Sequence, residues 1–451
     1  MQQRQMNLGA FFLIPGHHLG GWRHPEASAE KVLSFDFMKE LAQTAERGKF
    51  DMIFIGDELK GAGNSEIGRH LARYTSFEPT TLLSALSTVT EKIGLAATLS
   101  TTFNEPFHVA RKLASIDHLS GGRVGWNVVT SSMSAEAHNF GQGNLMLHEE
   151  RYLRAAEFME VVKGLWDTYE DDALVIDKKT GIFSDADKIQ PLDYQGKWFS
   201  VKGPLNIARP PQGYPVMIQA GTSEAGRELA ARSAEAVFAA CHTFEEAREY
   251  YSDMKGRLAK YGRSPEEFKI MPGVYPIVGR TEEEANEKEA LMNELVLPKL
   301  GVAFLSGLTG IDLSGYSIDD PFPGIFPDSS NNNGIKSRIE VMKGISGREN
   351  LTIRQFYEKI AGARGHWSIK GSPSQIADQL EYWFREGAAD GFNVMPPYLP
   401  GGLNDFVDLV IPELQQRGLF RTEYTGRTLR EHLGLSRPEN QRVQAVSRVT
   451  E

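Results

Sequence analysis

Several short stretches of this chain carry side chains suited to gripping a phosphorylated, hydrogen-bonding ligand. Gly221-Thr222-Ser223-Glu224 follows an apolar run and opens a helical pattern. Backbone N–H groups at a helix start, with hydroxyls beside them, favour an anion such as phosphate. An ordinary serine N-cap uses the same residues with no ligand, and both descriptions can hold for Ser223. His148 and Tyr152 are four residues apart, which puts an imidazole and a phenol on one helix face. Two polar tips so placed can meet one ligand, and a plain surface pair has the same spacing. The stretch Gly121–Gly141 says most. It runs from a Gly-Gly turn through the strand-like Val124–Val129, then breaks into Thr130, Ser131 and Ser132, with His138, Asn139 and Phe140 in the loop behind. Hydroxyls at the carboxyl end of a buried strand are where an α/β barrel keeps its chemistry.

The other candidates are single residues at strand ends. Asp57 closes a strand in IFIGDE, where a carboxylate can accept hydrogen bonds from a cofactor or orient a neighbour; a helix cap or a surface charge is the plainer reading. Thr102 in LSTTF offers a hydroxyl, with Ser100 and Thr101 equivalent by sequence and a turn role open. His17, His18 and Trp22 follow the first strand. A histidine there can shuttle a proton or bind an anionic group, and a tryptophan can wall off a ring; solvated loop histidines are the alternative. Arg23, His17 and His18 near the rim tilt the expectation toward a carboxylated substrate; the alternative for Arg23 and His24 is structural, as partners of carboxylates near the barrel rim. The histidines show no H-E-x-x-H or comparable ligand spacing, so no metal is expected. A serine hydrolase is excluded by the lack of a G-x-S-x-G elbow.

The bulk numbers fit such a site. At 451 residues the chain can form one large α/β domain with insertions or two domains. A net charge of -10 argues against nucleic acid and anionic membrane surfaces, but leaves room for a local basic site that takes an acidic small molecule. The single cysteine, Cys241, permits no intramolecular disulfide and suits a reducing compartment, so a cytoplasmic location is expected. The first residues read as a strand ending at Pro15 rather than a signal peptide. No apolar stretch reaches the ~20 residues of a membrane span.

The elements that must position these residues alternate. Candidate strands are Asn7–Ile14, Met52–Asp57, Ile93–Ser100, Val124–Thr130, Pro215–Ala220, Ala236–Cys241, Lys269–Val278 and Gly391–Pro396, with amphipathic helices between them. Repeated strand–helix alternation implies a parallel sheet, and eight units predict a closed (β/α)8 barrel. The structural rival, an open nucleotide-binding sheet, lacks a G-x-G-x-x-G after its first strand. Insertions are expected near 171–208, as small strands over one end, and near 297–370. Within the latter, 314–334 is rich in turn formers and reads as a lid or a disordered bridge. Ser372-Pro373-Ser374-Gln375 is a capping box that opens a helix through Arg385. One domain is thus expected over 1–430, with a polar tail at 431–451. After Gly418 the chain reads as an arm for a neighbouring subunit or a loose end.

Together these motifs resemble the nitrilotriacetate monooxygenase and dibenzothiophene-sulfone monooxygenase family of bacterial-luciferase-like flavin monooxygenases. The carrying runs are Gly21-Trp22-Arg23-His24-Pro25, Asp117-His118-Leu119-Ser120-Gly121-Gly122-Arg123, Trp126-Asn127-Val128-Val129-Thr130-Ser131, Asn139-Phe140-Gly141, His148-Glu149-Glu150-Arg151-Tyr152 and Gln219-Ala220-Gly221-Thr222-Ser223-Glu224. With Asp390-Gly391-Phe392-Asn393 and Pro412-Glu413-Leu414-Gln415 near the end, the match covers residues 5–430. The resemblance implies a luciferase-type barrel, reduced FMN with molecular oxygen as cosubstrate, a separate NAD(P)H:flavin reductase as partner, and a homodimer or homotetramer. It places Asp57, Thr102, Thr130, Ser131, His148, Tyr152, Thr222 and Ser223 around FMN. His17, Trp22, His138 and Phe140 fall on the substrate side. The implied reaction oxidises a small organic substrate, with a carboxylated S- or N-substituted compound expected and C–S or C–N cleavage following. A deazaflavin-dependent dehydrogenase on the same barrel and a non-catalytic flavin-binding protein are the alternatives.

Overall fold

The computed structural model describes residues 4–63, 67–326 and 336–443. Nine strands matter to the site: β1 (Asn7–Phe12), β2 (Met52–Ile55), β3 (Gly94–Ser100), β4 (Val124–Val129), β5 (Val216–Gln219), β6 (Ala236–Ala239), β7 (Lys269–Val278), β8 (Trp367–Gly371) and β9 (Gly391–Val394). All pair in parallel. Neighbours run β1 to β7 in order, then β7 to β9, and β9 returns to β1 with Asn7 opposite Gly391 and Ala10 opposite Val394, which closes the ring. The expected eight barrel strands are therefore the eight that form the ring. β8 is additional: it pairs only with the carboxyl half of β7, Val274–Val278, outside the ring.

These strands are continuous apolar runs because both faces are buried. Outward side chains Leu95, Ala97, Leu99 and Trp126 pack with Leu113 and Phe158 of the surrounding helices. Inward side chains Met52, Phe54, Ala96, Ile218 and Met271 fill the barrel. The amino-terminal end is stoppered from far along the chain. Leu429 opens a short helix (Leu429–His432) and is fully buried. A Cβ on Gly94 would lie 2.5 Å from its Cδ1, and one on Gly125 3.2 Å from its Cδ2, so the glycines make the room that leucine fills. Beyond it, Arg430 pairs with Glu235 at 2.5 Å, and Leu433 and Leu435 are buried. Through Val443, then, the chain after Gly418 is not a loose end, because its apolar side chains close the barrel floor; residues 444–451 lie outside the described residues.

The first insertion forms two hairpins, Leu174–Asp177 with Ile182–Ser184 and Tyr194–Gln195 with Ser200–Val201. It joins the end of helix His148–Trp166 to the start of β5, so it lies at the amino-terminal end, away from the chemistry. The second insertion stands on the carboxyl-terminal rim. Its helices Pro298–Thr309, Lys336–Arg348 and Ile353–Ile360 share a core around Leu305, Phe356 and Tyr357. The Leu19 N–H, after β1, donates to the Ala361 carbonyl at 2.8 Å and ties this excursion to the rim. Of the 314–334 segment, residues 314–326 are described, with Phe322 edge-on to Phe356; the remainder lies outside the described residues. The capping box at Ser372 is present, and its helix runs Pro373–Arg385. Among the described residues no single helix is long and apolar enough to cross a membrane.

Candidate active site

At the carboxyl ends of β2, β4 and β5 lies a polar cavity of about 320 Å³. Asp57, Thr130, Ser131, His148, Tyr152, Thr222 and Ser223 all line it. Local chemistry holds them there. Ser131 sits in the left-handed region at φ 55°, a conformation that costs about 1 kcal/mol in a non-glycine residue. It is held by the Ser100 hydroxyl at 2.9 Å and by the buried Arg151 guanidinium, which donates to the Ser131 carbonyl. Thr102 does not line the cavity. Its hydroxyl donates to the Thr130 carbonyl at 2.7 Å, so it stands behind Thr130 and fixes that turn.

The far end of this cavity is a helix start. Ser223 caps helix Glu224–Ser233, and its hydroxyl accepts the Gly226 N–H at 3.2 Å. The backbone beside it is closely approached: a Cβ on Gly221 or on Gly226 would lie 3.0 Å from the Tyr152 hydroxyl. Tyr152 thereby joins the first turns of two helices, with the His148 ring 4.9 Å from its own. Gln219, at the end of β5, is 2% exposed, and its Oε1 faces no donor. A buried acceptor without a donor costs roughly 1–3 kcal/mol, which a ligand N–H in this cavity would recover.

A second cavity, of about 200 Å³, adjoins the first and shares Asp57 and Glu58 with it. Its walls include Phe11, Phe77, Phe238, Tyr74, His17, Arg364 and His366. Phe11 meets Phe238 edge-on at 5.3 Å, and His366 stacks flat on Phe238 at 4.8 Å. His17 is fully buried, with Nε2 3.0 Å from the Phe11 carbonyl; that nitrogen must carry the proton, since a carbonyl only accepts. Burial pushes the Asp57 carboxyl up to about 6, and the charges of Glu78, Glu136 and Glu58 push the same way against a backbone hydrogen bond at Glu58. Asp57 therefore stands where the two cavities meet, as an acid held well above the usual carboxylate range.

The remaining candidates fall elsewhere. Trp22 and His18 line a small side cavity with Leu71, which touches the second cavity at Arg364. Burial lowers His18 to about 3, so it is neutral. Arg23 is exposed and donates to the Leu295 carbonyl at 2.6 Å. His24 stacks on Tyr398 at 3.8 Å. His138 and Phe140 line neither cavity: His138 ends the short helix Ser134–His138 with Nε2 3.2 Å from the Gly143 carbonyl, and Phe140 is exposed and stacked on Phe103. Sequence reasoning passed over Arg151, Gln219, Tyr74, Phe238, Arg364 and His366. For the last two, the turn-rich run Ala361-Gly362-Ala363-Arg364-Gly365-His366 was the available signal. Among the described residues no group of three or more His, Cys, Asp or Glu could hold a metal ion.

Fold and site together define an α/β barrel with a polar cavity that ends at a helix start and opens onto an aromatic chamber. Comparison with known proteins narrows that class. The luciferase-like monooxygenase family matches residues 10–390. N-acetyl-S-(2-succino)cysteine monooxygenase of Bacillus subtilis is 50% identical over 440 residues, 97% of this chain and 98% of that protein. Nitrilotriacetate monooxygenase component A of Aminobacter aminovorans is 50% identical over 446 residues, with the same coverage of 97% and 98%. The crystal structure of DmoA from Hyphomicrobium sulfonivorans superposes with a TM-score of 0.87 at 34% identity, covering 95% of this chain and 92% of that one. The chain belongs to the luciferase-like monooxygenase family. It is a reduced-flavin-dependent monooxygenase.

Proposed function

We propose that this chain is the oxygenating component of a cytoplasmic two-component system. It takes reduced FMN from a separate NAD(P)H:flavin reductase and oxidises a small carboxylated S- or N-substituted compound with molecular oxygen, breaking a C–S or C–N bond. The observation that carries this reading is the junction at Asp57, where a polar cavity ending at a helix start opens onto an aromatic chamber. Thr222, Ser223, His148 and Tyr152 would hold the phosphate and ribityl side of FMN. Gln219, Thr130, Ser131 and Asp57 would meet the ring side, with the Gln219 acceptor suited to a ring N–H. When bound, reduced FMN activates oxygen and supplies one of its atoms to the substrate. The chain's own part is to bind, orient and exclude water: Phe11, Phe77 and Phe238 dry the chamber, and Asp57 holds or releases a proton beside it.

The substrate class draws support from relatives. Two proteins 50% identical to this chain are named for a multiply carboxylated amine and a multiply carboxylated thioether. The test is an anaerobic titration of the protein with reduced FMN, followed by oxygen in the presence of such substrates. Saturable binding and oxygen-dependent product are expected. No affinity for reduced FMN would sink the reading, and turnover without oxygen would favour a hydride-transferring dehydrogenase instead.

A further inference from the structure

The second cavity is charged asymmetrically. Asp57 and Glu58 stand at its junction with the polar cavity, and Arg364 stands where it meets the small side cavity of Trp22 and His18. Among the described residues lining the chamber, Arg364 is the one permanent cation. We infer that Arg364 is the specificity-determining residue of the chamber: it anchors a substrate carboxylate at the end remote from the flavin cavity, with His17 and His366 beside it. This rests on the carboxylated-substrate reading above.

The backbone supports the assignment. Arg364 lies in the left-handed region at φ 52° and is followed by Gly365 at φ 88°. A non-glycine residue held there is strained by about 1 kcal/mol, and such strain persists where surrounding structure enforces it, often at ligand-binding sites. Two anchors enforce it here. The Arg364 N–H donates to the Ile360 carbonyl at 3.0 Å, and its guanidinium donates through one terminal nitrogen to the His17 carbonyl at 2.9 Å. That bond crosses from the second insertion to the loop after β1 and fixes Arg364 in the chamber wall. Room for the neighbouring ring is also built in. A Cβ on Gly273 would lie 2.5 Å from the His366 Nδ1, so only glycine lets that imidazole lie on Phe238.

The charges fix an orientation as well as an affinity. A carboxylate is repelled by the acids at the junction and drawn to Arg364, which leaves the sulfur or nitrogen of a short thioether or amine nearer Asp57. Arginine binds carboxylate as a planar fork, so lysine can replace the charge but not the geometry.

The experiment compares Arg364→Gln and Arg364→Lys with the parent on N-acetyl-S-(2-succino)cysteine and nitrilotriacetate, each set against its methyl ester. Glutamine meets the same φ penalty as arginine, so both variants are expected to fold, with near-parental melting as the check. Arg364→Gln is expected to lower kcat/KM on the acids about 100-fold, mainly through KM, and to change that on the esters less than about threefold. Arg364→Lys is expected to recover about a tenth of the parental value on the acids. Arg23→Gln, at an exposed rim arginine, serves as the control and is expected to match the parent. Equal losses on acid and ester, or equal losses from Arg23→Gln and Arg364→Gln, would overturn the assignment and leave the proposed function standing. A parent that oxidises the esters in preference to the acids would overturn both.

Discussion

Replacing Asp57 by asparagine should make the flavin-free protein more stable at neutral pH and a poorer binder of reduced flavin. The carboxyl has an ordinary value of 3.8 and is raised to about 6, first by burial and then by Glu78, Glu136 and Glu58. Because the folded value exceeds the unfolded one, the folded state keeps a proton that the unfolded chain has released between about pH 4 and pH 6. Stability from this group is therefore present below about pH 4 and is lost as pH rises through 6. With the carboxyl raised from 3.8 to about 6, an ionised Asp57 costs at most ~3 kcal/mol at pH 7.5; partial exposure of the carboxylate brings the expectation to ~1–3 kcal/mol. Asparagine cannot ionise. Urea denaturation of flavin-free parent and Asp57→Asn should give a stability difference that grows in favour of the variant between pH 4 and pH 6.5 and is flat above pH 7. Anaerobic titration should show weaker binding of reduced FMN by the variant, since a group tuned for the site is seldom tuned for stability. A difference that stays constant across this range, or grows in favour of the parent, would refute the burial of Asp57 as the source of its raised value.

Ser223→Ala removes a capping hydroxyl, and a loss of about 1 kcal/mol in stability is expected. It should also weaken reduced FMN about tenfold while changing reduced riboflavin little, as read by anaerobic titration; equal losses on both ligands would mean that no phosphate meets this turn. Leu429→Ala should cost about 3–5 kcal/mol in chemical denaturation, because the stopper is fully buried against rigid strand backbone that cannot collapse onto the void. A loss under about 1 kcal/mol would show that the floor of the barrel does not depend on it.

The barrel was legible because its strands are buried on both faces and read as unbroken apolar runs; Lys269–Val278 was bounded to the residue. β8 was not, because Trp367, Ile369 and Gly371 are buried while Ser368 and Lys370 are exposed, and five alternating residues inside a long insertion give little signal. The cluster that lines the polar cavity was legible for a local reason. Thr130, Ser131, Thr222, Ser223, His148 and Tyr152 stand at strand ends and helix starts, where the next few residues already announce the position. Nearness in sequence misled where the chain turned away: His138 and Phe140 follow Thr130 closely, yet the short helix Ser134–His138 carries them out of the chamber. Arg364 and His366 carry the opposite lesson. The contact that holds Arg364 joins residues 347 apart, so the turn-rich run at 361–366 could mark a turn but not what that turn faces.

Glycine is the residue whose meaning changes most between sequence and structure. Inside a strand it reads as a weakness or a bulge, since it adds backbone freedom and no packing. Here several glycines instead record the shape of a neighbour. Gly94 and Gly125 are the imprint of Leu429, a residue more than 300 positions later, and Gly273 is the imprint of the His366 ring. Gly221 is the imprint of the Tyr152 hydroxyl at the polar cavity. Each imprint lies on a rigid strand or strand end, and each visitor arrives from a helix or turn with little strand character of its own. The barrel thus supplies a fixed frame with notches, and the elements after each strand supply the side chains that fill them. Of these four notches, the two at the carboxyl rim seat side chains that line the candidate site, and the two at the floor seat the stopper that keeps the frame closed.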